Sequence, residues 1–142
     1  MDRKIMGYLQ AWKENPHRKP LILQGARQVG KTWSILEFGR THYDNVAYFN
    51  FETNPKLNET FDENISPDYL IPILSHIAGQ TIVKDKTLIV FDEVQLCERA
   101  LTSLKYFCED APEYHIIVAG SLLGVAVNRA KFSFPVGKVD MK

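Results

Sequence analysis

The sequence predicts a three-layer α/β domain built on a mostly parallel sheet. Short apolar runs of strand length at residues 21–23, 46–51, 87–91 and 116–119 alternate with stretches of helical periodicity. Such alternation implies parallel strands joined by crossover helices that cover both faces of the sheet. The runs are nearly all apolar rather than alternating, the composition of strands buried on two faces.

Taken in order, residues 3–14 place Ile5, Met6, Leu9 and Trp12 at 3–4 spacing, which predicts a short amphipathic helix stopped by Asn15-Pro16. Leu21, Ile22 and Leu23 form a buried strand that runs towards Gly25. A helix is expected over about 31–40, closed near Gly39, and a second strand over 46–51. Residues 52–68 are polar and acidic and read as surface loop with a short helix. Ser66-Pro67-Asp68 has the form of a helix start, with Ser as cap and Pro in the first turn. Pro72 then implies a later start or a kink, and Gly79 a stop. The third strand, 87–91, is the clearest. Ala100, Leu101, Leu104, Phe107 and Cys108 form a helical stripe, and a fourth strand over 116–119 ends at Gly120-Ser121.

The chain has 142 residues, enough for one domain, and 45% of them are apolar, enough for a core. Lys plus Arg and Asp plus Glu both number 17, so a global basic field of the kind that holds DNA or an anionic membrane is absent. Nucleic acid is therefore not indicated, apart from a local basic segment at Arg3, Lys4, Lys13, Arg18 and Lys19. Cys97 and Cys108 make no disulfide framework, and the four histidines show no zinc spacing. The two cysteines are expected on one helix face, as small core residues. Trp12 and Trp33 read as packing residues, and His115 as a strand start with no partner. The longest uncharged, mostly apolar run, 116–127, falls short of the roughly 20 residues a membrane span needs. No signal-like stretch follows the N-terminal Met-Asp-Arg-Lys-Ile, and a cytoplasmic protein with no membrane partner is expected.

Gly25, Ala26, Arg27, Gln28, Val29, Gly30, Lys31 and Thr32 fit the pattern G-x-x-x-x-G-K-[ST] between an expected strand and an expected helix. The glycines let the backbone approach a phosphate closely, and the loop amides and helix N-terminus face the anion. Lys31 can reach the β- and γ-phosphates, and Thr32 can offer its hydroxyl to Mg²⁺. Trp33 follows directly and is grouped with the nucleotide contacts.

Leu88-Ile-Val-Phe-Asp92-Glu93 is an apolar strand that ends in two acids. Beside a phosphate loop, Asp92 is placed to hold the Mg²⁺ shell and Glu93 to orient or deprotonate the attacking water. Strand ends facing solvent often carry acids, so the pair gains its meaning from the loop. Ser121, after the fourth strand, is a candidate contact for the γ-phosphate or the water. Glu52 as a second acid and Arg129 as an arginine finger are weaker candidates than the surface charges they otherwise make.

Whole stretches of the chain resemble the bacterial and archaeal AAA-type P-loop ATPases that carry a C-terminal domain of unknown function. These stretches are Lys19-Pro-Leu-Ile-Leu-Gln-Gly-Ala-Arg-Gln-Val-Gly-Lys-Thr-Trp33, Tyr48-Phe-Asn-Phe-Glu52, Val90-Phe-Asp-Glu-Val-Gln95, Leu104-Lys-Tyr-Phe107, Ala119-Gly-Ser-Leu-Leu-Gly124 and Phe134-Pro-Val-Gly-Lys-Val139. The resemblance implies a three-layer P-loop NTPase core of the ASCE/AAA-like kind, with strand order 5-1-4-3-2. It gives Lys31 and Thr32 the Walker A role, Asp92 and Glu93 the Walker B role, and Ser121 the sensor-1 role. ATP is preferred over GTP by resemblance, since the chain holds no N-K-x-D.

The expected organisation is one ATPase core over 1–142: an N-terminal helix at 3–14 and a nucleotide-binding core at 20–142. The fifth strand is incomplete, and the lid and C-terminal domain of the family would follow. Mg-dependent ATP hydrolysis is the first functional expectation, with ATP and Mg²⁺ as ligands. A homo-oligomer and the missing C-terminal domain are the partners the resemblance implies. The alternative is a nucleotide-binding interaction module, or a truncated remnant, without useful turnover.

Overall fold

The computed structural model describes residues 3–23, 29–120 and 140–141, of which 3, 29–31 and 140–141 are described by backbone alone. The elements are α1 (Arg3–Glu14), β1 (Leu21–Leu23), α2 (Val29–His42), β2 (Asn45–Asn50), α3 (Leu57–Glu63), α4 (Pro67–Ala78), β3 (Thr87–Asp92), α5 (Glu98–Asp110), β4 (His115–Ala119) and the two-residue β5 (Asp140–Met141). A 3-10 turn over Val94–Leu96 links β3 to α5. The strands pair in the order β2-β3-β4-β1-β5, all in parallel.

Side-chain alternation along the strands divides the interior into two layers. Leu21, Leu23, Leu88, Val90, Ile117 and Ala119 point to the face that α1 and α2 cover with Leu9, Trp12, Ile35 and Phe38. Ile22, Ala47, Phe49, Ile89, Phe91, Ile116 and Val118 point to the opposite face, under α3, α4 and α5. There Phe51, Phe61 and Phe91 meet edge-on or tilted, with centroids 5.7–5.8 Å apart. Each fully buried Leu, Ile or Phe contributes about 1.5–3 kcal/mol, so the two layers supply most of the driving force.

Register lines up the strand ends. Leu23 pairs with Ala119, Ala119 with Asp92, and Asp92 with Asn50. These four residues form one row at the carboxyl edge of the parallel strands, the edge at which open α/β sheets bind ligands.

Several expectations change. Gly39 does not end α2, which runs on to His42. A Cβ at Gly39 would lie 2.9 Å from Leu88 Cδ2 and closer still to Val46 Cγ2, so this glycine lets the helix sit down on the sheet. Pro72 lies inside α4, which nevertheless runs unbroken from Pro67. Pro72 and Asp68 are both exposed, so the carbonyl that the proline leaves unpaired reaches water. Gly79 closes α4 in the left-handed conformation, its N–H on the carbonyl of His76. Cys97 is buried ahead of α5 rather than on it, and burial pushes its thiol up to about 11. Trp33 is not a core residue, being 52% exposed, whereas Trp12 is buried and donates its indole N–H to the carbonyl of Lys19 at 2.7 Å.

His115 does have partners. At the amino end of β4 its Nδ1 lies 2.7 Å from the Tyr43 hydroxyl and its Nε2 3.0 Å from Asp85 Oδ1. A carboxylate only accepts, so Nε2 carries the hydrogen and Tyr43 donates to Nδ1. Burial, then the nearby Arg18 guanidinium, push the imidazole down to about 4, against the pull of Asp85. Arg18 also donates to the carbonyl of Lys13 at 2.8 Å and ties α1 to this corner. No helix among the described residues is long and apolar enough to cross a membrane.

Candidate functional site at the carboxyl edge of the sheet

β3 is buried along its whole length and delivers Asp92 to the carboxyl edge with 7% exposure. Even-numbered residues of β3 face α2, so Asp92 points to the side on which α2 begins. Thr32, in the first turn of α2, donates its hydroxyl to Asp92 Oδ2 at 3.3 Å. The Tyr48 hydroxyl donates to the same oxygen at 2.6 Å, and the backbone N–H of Glu93 donates to Oδ1 at 2.9 Å. Three donors thus hold one carboxylate.

Tyr48 is itself held. Asn50 Nδ2 donates to its hydroxyl at 3.2 Å, and Asn50 Oδ1 accepts from the backbone N–H groups of Glu52 and Thr53 at 2.9 and 3.1 Å. Burial, then the hydrogen bond to Asp92, raise the Tyr48 phenol to about 12, so it remains a donor at any physiological pH.

Glu93 is 7% exposed and adopts φ 54°, ψ 40°, a left-handed conformation that a residue with a side chain occupies at a cost of about 1–3 kcal/mol. This backbone turns the chain from β3 into the 3-10 turn. Gln95, within that turn, lies against Gly120, the residue after β4. Its Oε1 is buried with no hydrogen-bond partner.

Asp92 and Thr32 offer one carboxylate and one hydroxyl, hard oxygen donors within reach of one small cation. That set fits Mg²⁺, which binds through one or two carboxylates and completes its shell with waters and phosphates. Among the described residues no group of three or more His, Cys, Asp or Glu gathers to hold a metal.

Of the expected site residues, the structure brings Thr32, Asp92 and Glu93 together. Val29, Gly30 and Lys31 open α2. Trp33 follows Thr32 on α2 and is exposed. Glu52 lies past the end of β2, also exposed. Gly25, Ala26, Arg27, Gln28, Ser121 and Arg129 lie outside the described residues. Sequence reasoning assigned no role to Tyr48, Asn50 or Gln95. The first two had a signal: polar side chains at alternate positions of an otherwise apolar strand.

A family model described as an AAA domain matches residues 17–140. The chain belongs to this AAA domain family. The matched span takes in β1 to β4 and every site residue named above, so the edge that gathers Thr32, Asp92 and Glu93 is part of the AAA domain itself. Among solved structures, the AAA domain is similar to the Walker-type ATPase PabY2304 of Pyrococcus abyssi, with a TM-score of 0.61 and 18% identity. The likeness covers 98% of this chain and 52% of that one, so the chain spans about half the length of this structural neighbour. At this identity the likeness shows the fold, a P-loop ATPase-type α/β sheet. No curated protein matches the chain.

Proposed function

We propose that the chain binds Mg·ATP at the carboxyl edge of its sheet and hydrolyses the β–γ phosphoanhydride bond. The observation that carries this is the Thr32–Asp92 hydrogen bond. It joins the last residue of G-x-x-x-x-G-K-T to the acid that ends β3, across 60 residues of sequence. AAA family membership supports the ATP-binding part of the reading.

In this reading the backbone from Gly25 to Thr32 cradles the phosphates, and Lys31 neutralises charge on the β- and γ-groups. Thr32 and Asp92 would hold Mg²⁺, which when bound would shield the phosphate charge. Tyr48 keeps Asp92 oriented. Glu93 takes a proton from water as the water oxygen bonds to the γ-phosphorus. The bond from that phosphorus to the bridging oxygen breaks, and ADP leaves with the electron pair. Inorganic phosphate is the second product, and Glu93 returns its proton to solvent. Ser121 contacts the γ-phosphate, and Trp33 lies beside the bound nucleotide. Cytoplasm, which supplies Mg·ATP, is the setting this chemistry implies.

Calorimetric titration with ATP, with and without Mg²⁺, tests the reading beside Lys31→Ala. Mg²⁺-dependent binding that Lys31→Ala abolishes is expected, and a folded protein that binds no nucleotide overturns the proposal. Glu93→Gln should keep binding and lose turnover by about 100-fold or more. Equal turnover in the two proteins removes the catalytic role of Glu93 and leaves a binding module.

A further inference from the structure

The carboxamide of Gln95 has no task in the mechanism above, yet its placement is specific. Its Oε1 is the single buried side-chain nitrogen or oxygen among the described residues left without a hydrogen bond. It occupies the space that a side chain at Gly120 would need. A Cβ built on Gly120 would collide with Oε1 and lie 3.1 Å from Cδ of Gln95 and 3.5 Å from Cα of Glu93. The amide oxygen therefore fills the gap between Glu93 and the residue that leaves β4. Only a glycine at 120 leaves that gap open.

A buried acceptor without a donor is costly and calls for a reason. Phosphate oxygens are acceptors too and cannot satisfy it. A donor that arrives with the nucleotide-loaded state would satisfy it, and the attacking water expected beside Glu93 is such a donor. We infer that Gln95 positions this water, its Oε1 accepting one hydrogen while Glu93 receives the other. An amide cannot take the proton, so the step stays as balanced above, and Gln95 contributes orientation alone. The inference rests on the ATPase reading and adds a second contact to the reacting water.

Gln95→Met keeps the length of the side chain and removes its polar atoms. The expected result is a fall in kcat of about tenfold or more, with Mg·ATP affinity held within about twofold. Affinity for Mg·ADP with aluminium fluoride, a planar mimic that holds a water in line, should fall about as far as kcat, while ADP affinity stays. The melting temperature should not drop, because the variant loses an unsatisfied oxygen; a merely structural glutamine would lower it. Parent-like turnover and parent-like affinity for the fluoride complex in Gln95→Met overturn the inference and leave the ATPase reading intact. A parent chain that binds neither ATP nor the fluoride complex overturns both. A parent that binds the complex without turning over still decides the matter through the affinity comparison.

Discussion

The hydroxyl of Tyr48 donates a 2.6 Å hydrogen bond to Asp92 Oδ2, the same oxygen that accepts from Thr32. The acid proposed for the metal shell is thus steered from β2 as well as from α2. Hydrogen bonds to a charged acceptor contribute about 1.5–3 kcal/mol, and removal of Tyr48's hydroxyl also strands Asn50 Nδ2. Tyr48→Phe should lower stability by about 1–3 kcal/mol in urea unfolding. It should also raise the Mg²⁺ concentration needed for half-maximal ATP binding.

Asp92→Asn keeps the shape of the side chain and removes its charge. The variant should retain whatever nucleotide binding is seen without Mg²⁺ and lose the gain that Mg²⁺ brings, as read by titration in EDTA and in excess Mg²⁺. Thr32→Val should behave in the same direction with a smaller loss. An undiminished Mg²⁺ effect in Asp92→Asn would exclude this carboxylate from the metal shell.

Gly120→Ala places a methyl group where Gln95 Oε1 now sits. The obstacle is the end of a flexible side chain, so the fold adapts at a cost of about 1 kcal/mol or less. Gln95 must swing away, and turnover should fall as far as it does in Gln95→Met. Combining the two changes should add little, since both remove one interaction. Additive losses would separate them.

His115 gives stability a defined acid limb. Its pKa is about 4 in the fold against 6.5 ordinarily, so between these values the unfolded chain binds more protons than the native one. The contribution is fully present above pH 6.5, falls as pH drops through that window, and is lost below about 4. It amounts to about 2 kcal/mol once solvent screening of the Arg18 charge is allowed for. Melting temperatures should decline through this range and decline less steeply in His115→Gln, whatever other groups add.

Gly39→Ala should be costlier than an exposed helical Gly→Ala change, which is stabilising by propensity alone. The added Cβ meets Val46 and Leu88 on the sheet, and α2 must lift or those side chains must move. A loss of about 1–3 kcal/mol is expected by chemical denaturation.

Much of the fold was legible because it is written locally. The apolar runs at 21–23, 87–91 and 116–119 fit strands buried on two faces, and the structure pairs them in parallel. Thr32 and Asp92 could be singled out because one ends G-x-x-x-x-G-K-[ST] and the other ends an apolar strand, and the structure brings their side chains together. What escaped depends on contacts between distant residues. Nothing near His115 in sequence announces Tyr43 or Asp85, and nothing near Gln95 announces Gly120. Local rules also misassigned Gly39, where the need was space rather than a helix stop. The same rules doubted Pro72, whose disruption is spent on a carbonyl that water can reach.

The two tryptophans lie in opposite surroundings, Trp12 in the interior at 5% exposure and Trp33 at 52% immediately after Thr32. Their intrinsic fluorescence is therefore divided between a shielded emitter and a solvent-facing one at the start of α2. An iodide quencher would silence Trp33 and leave Trp12 as an internal reference. Occupancy of the neighbouring site then becomes an optical signal in the unlabelled protein.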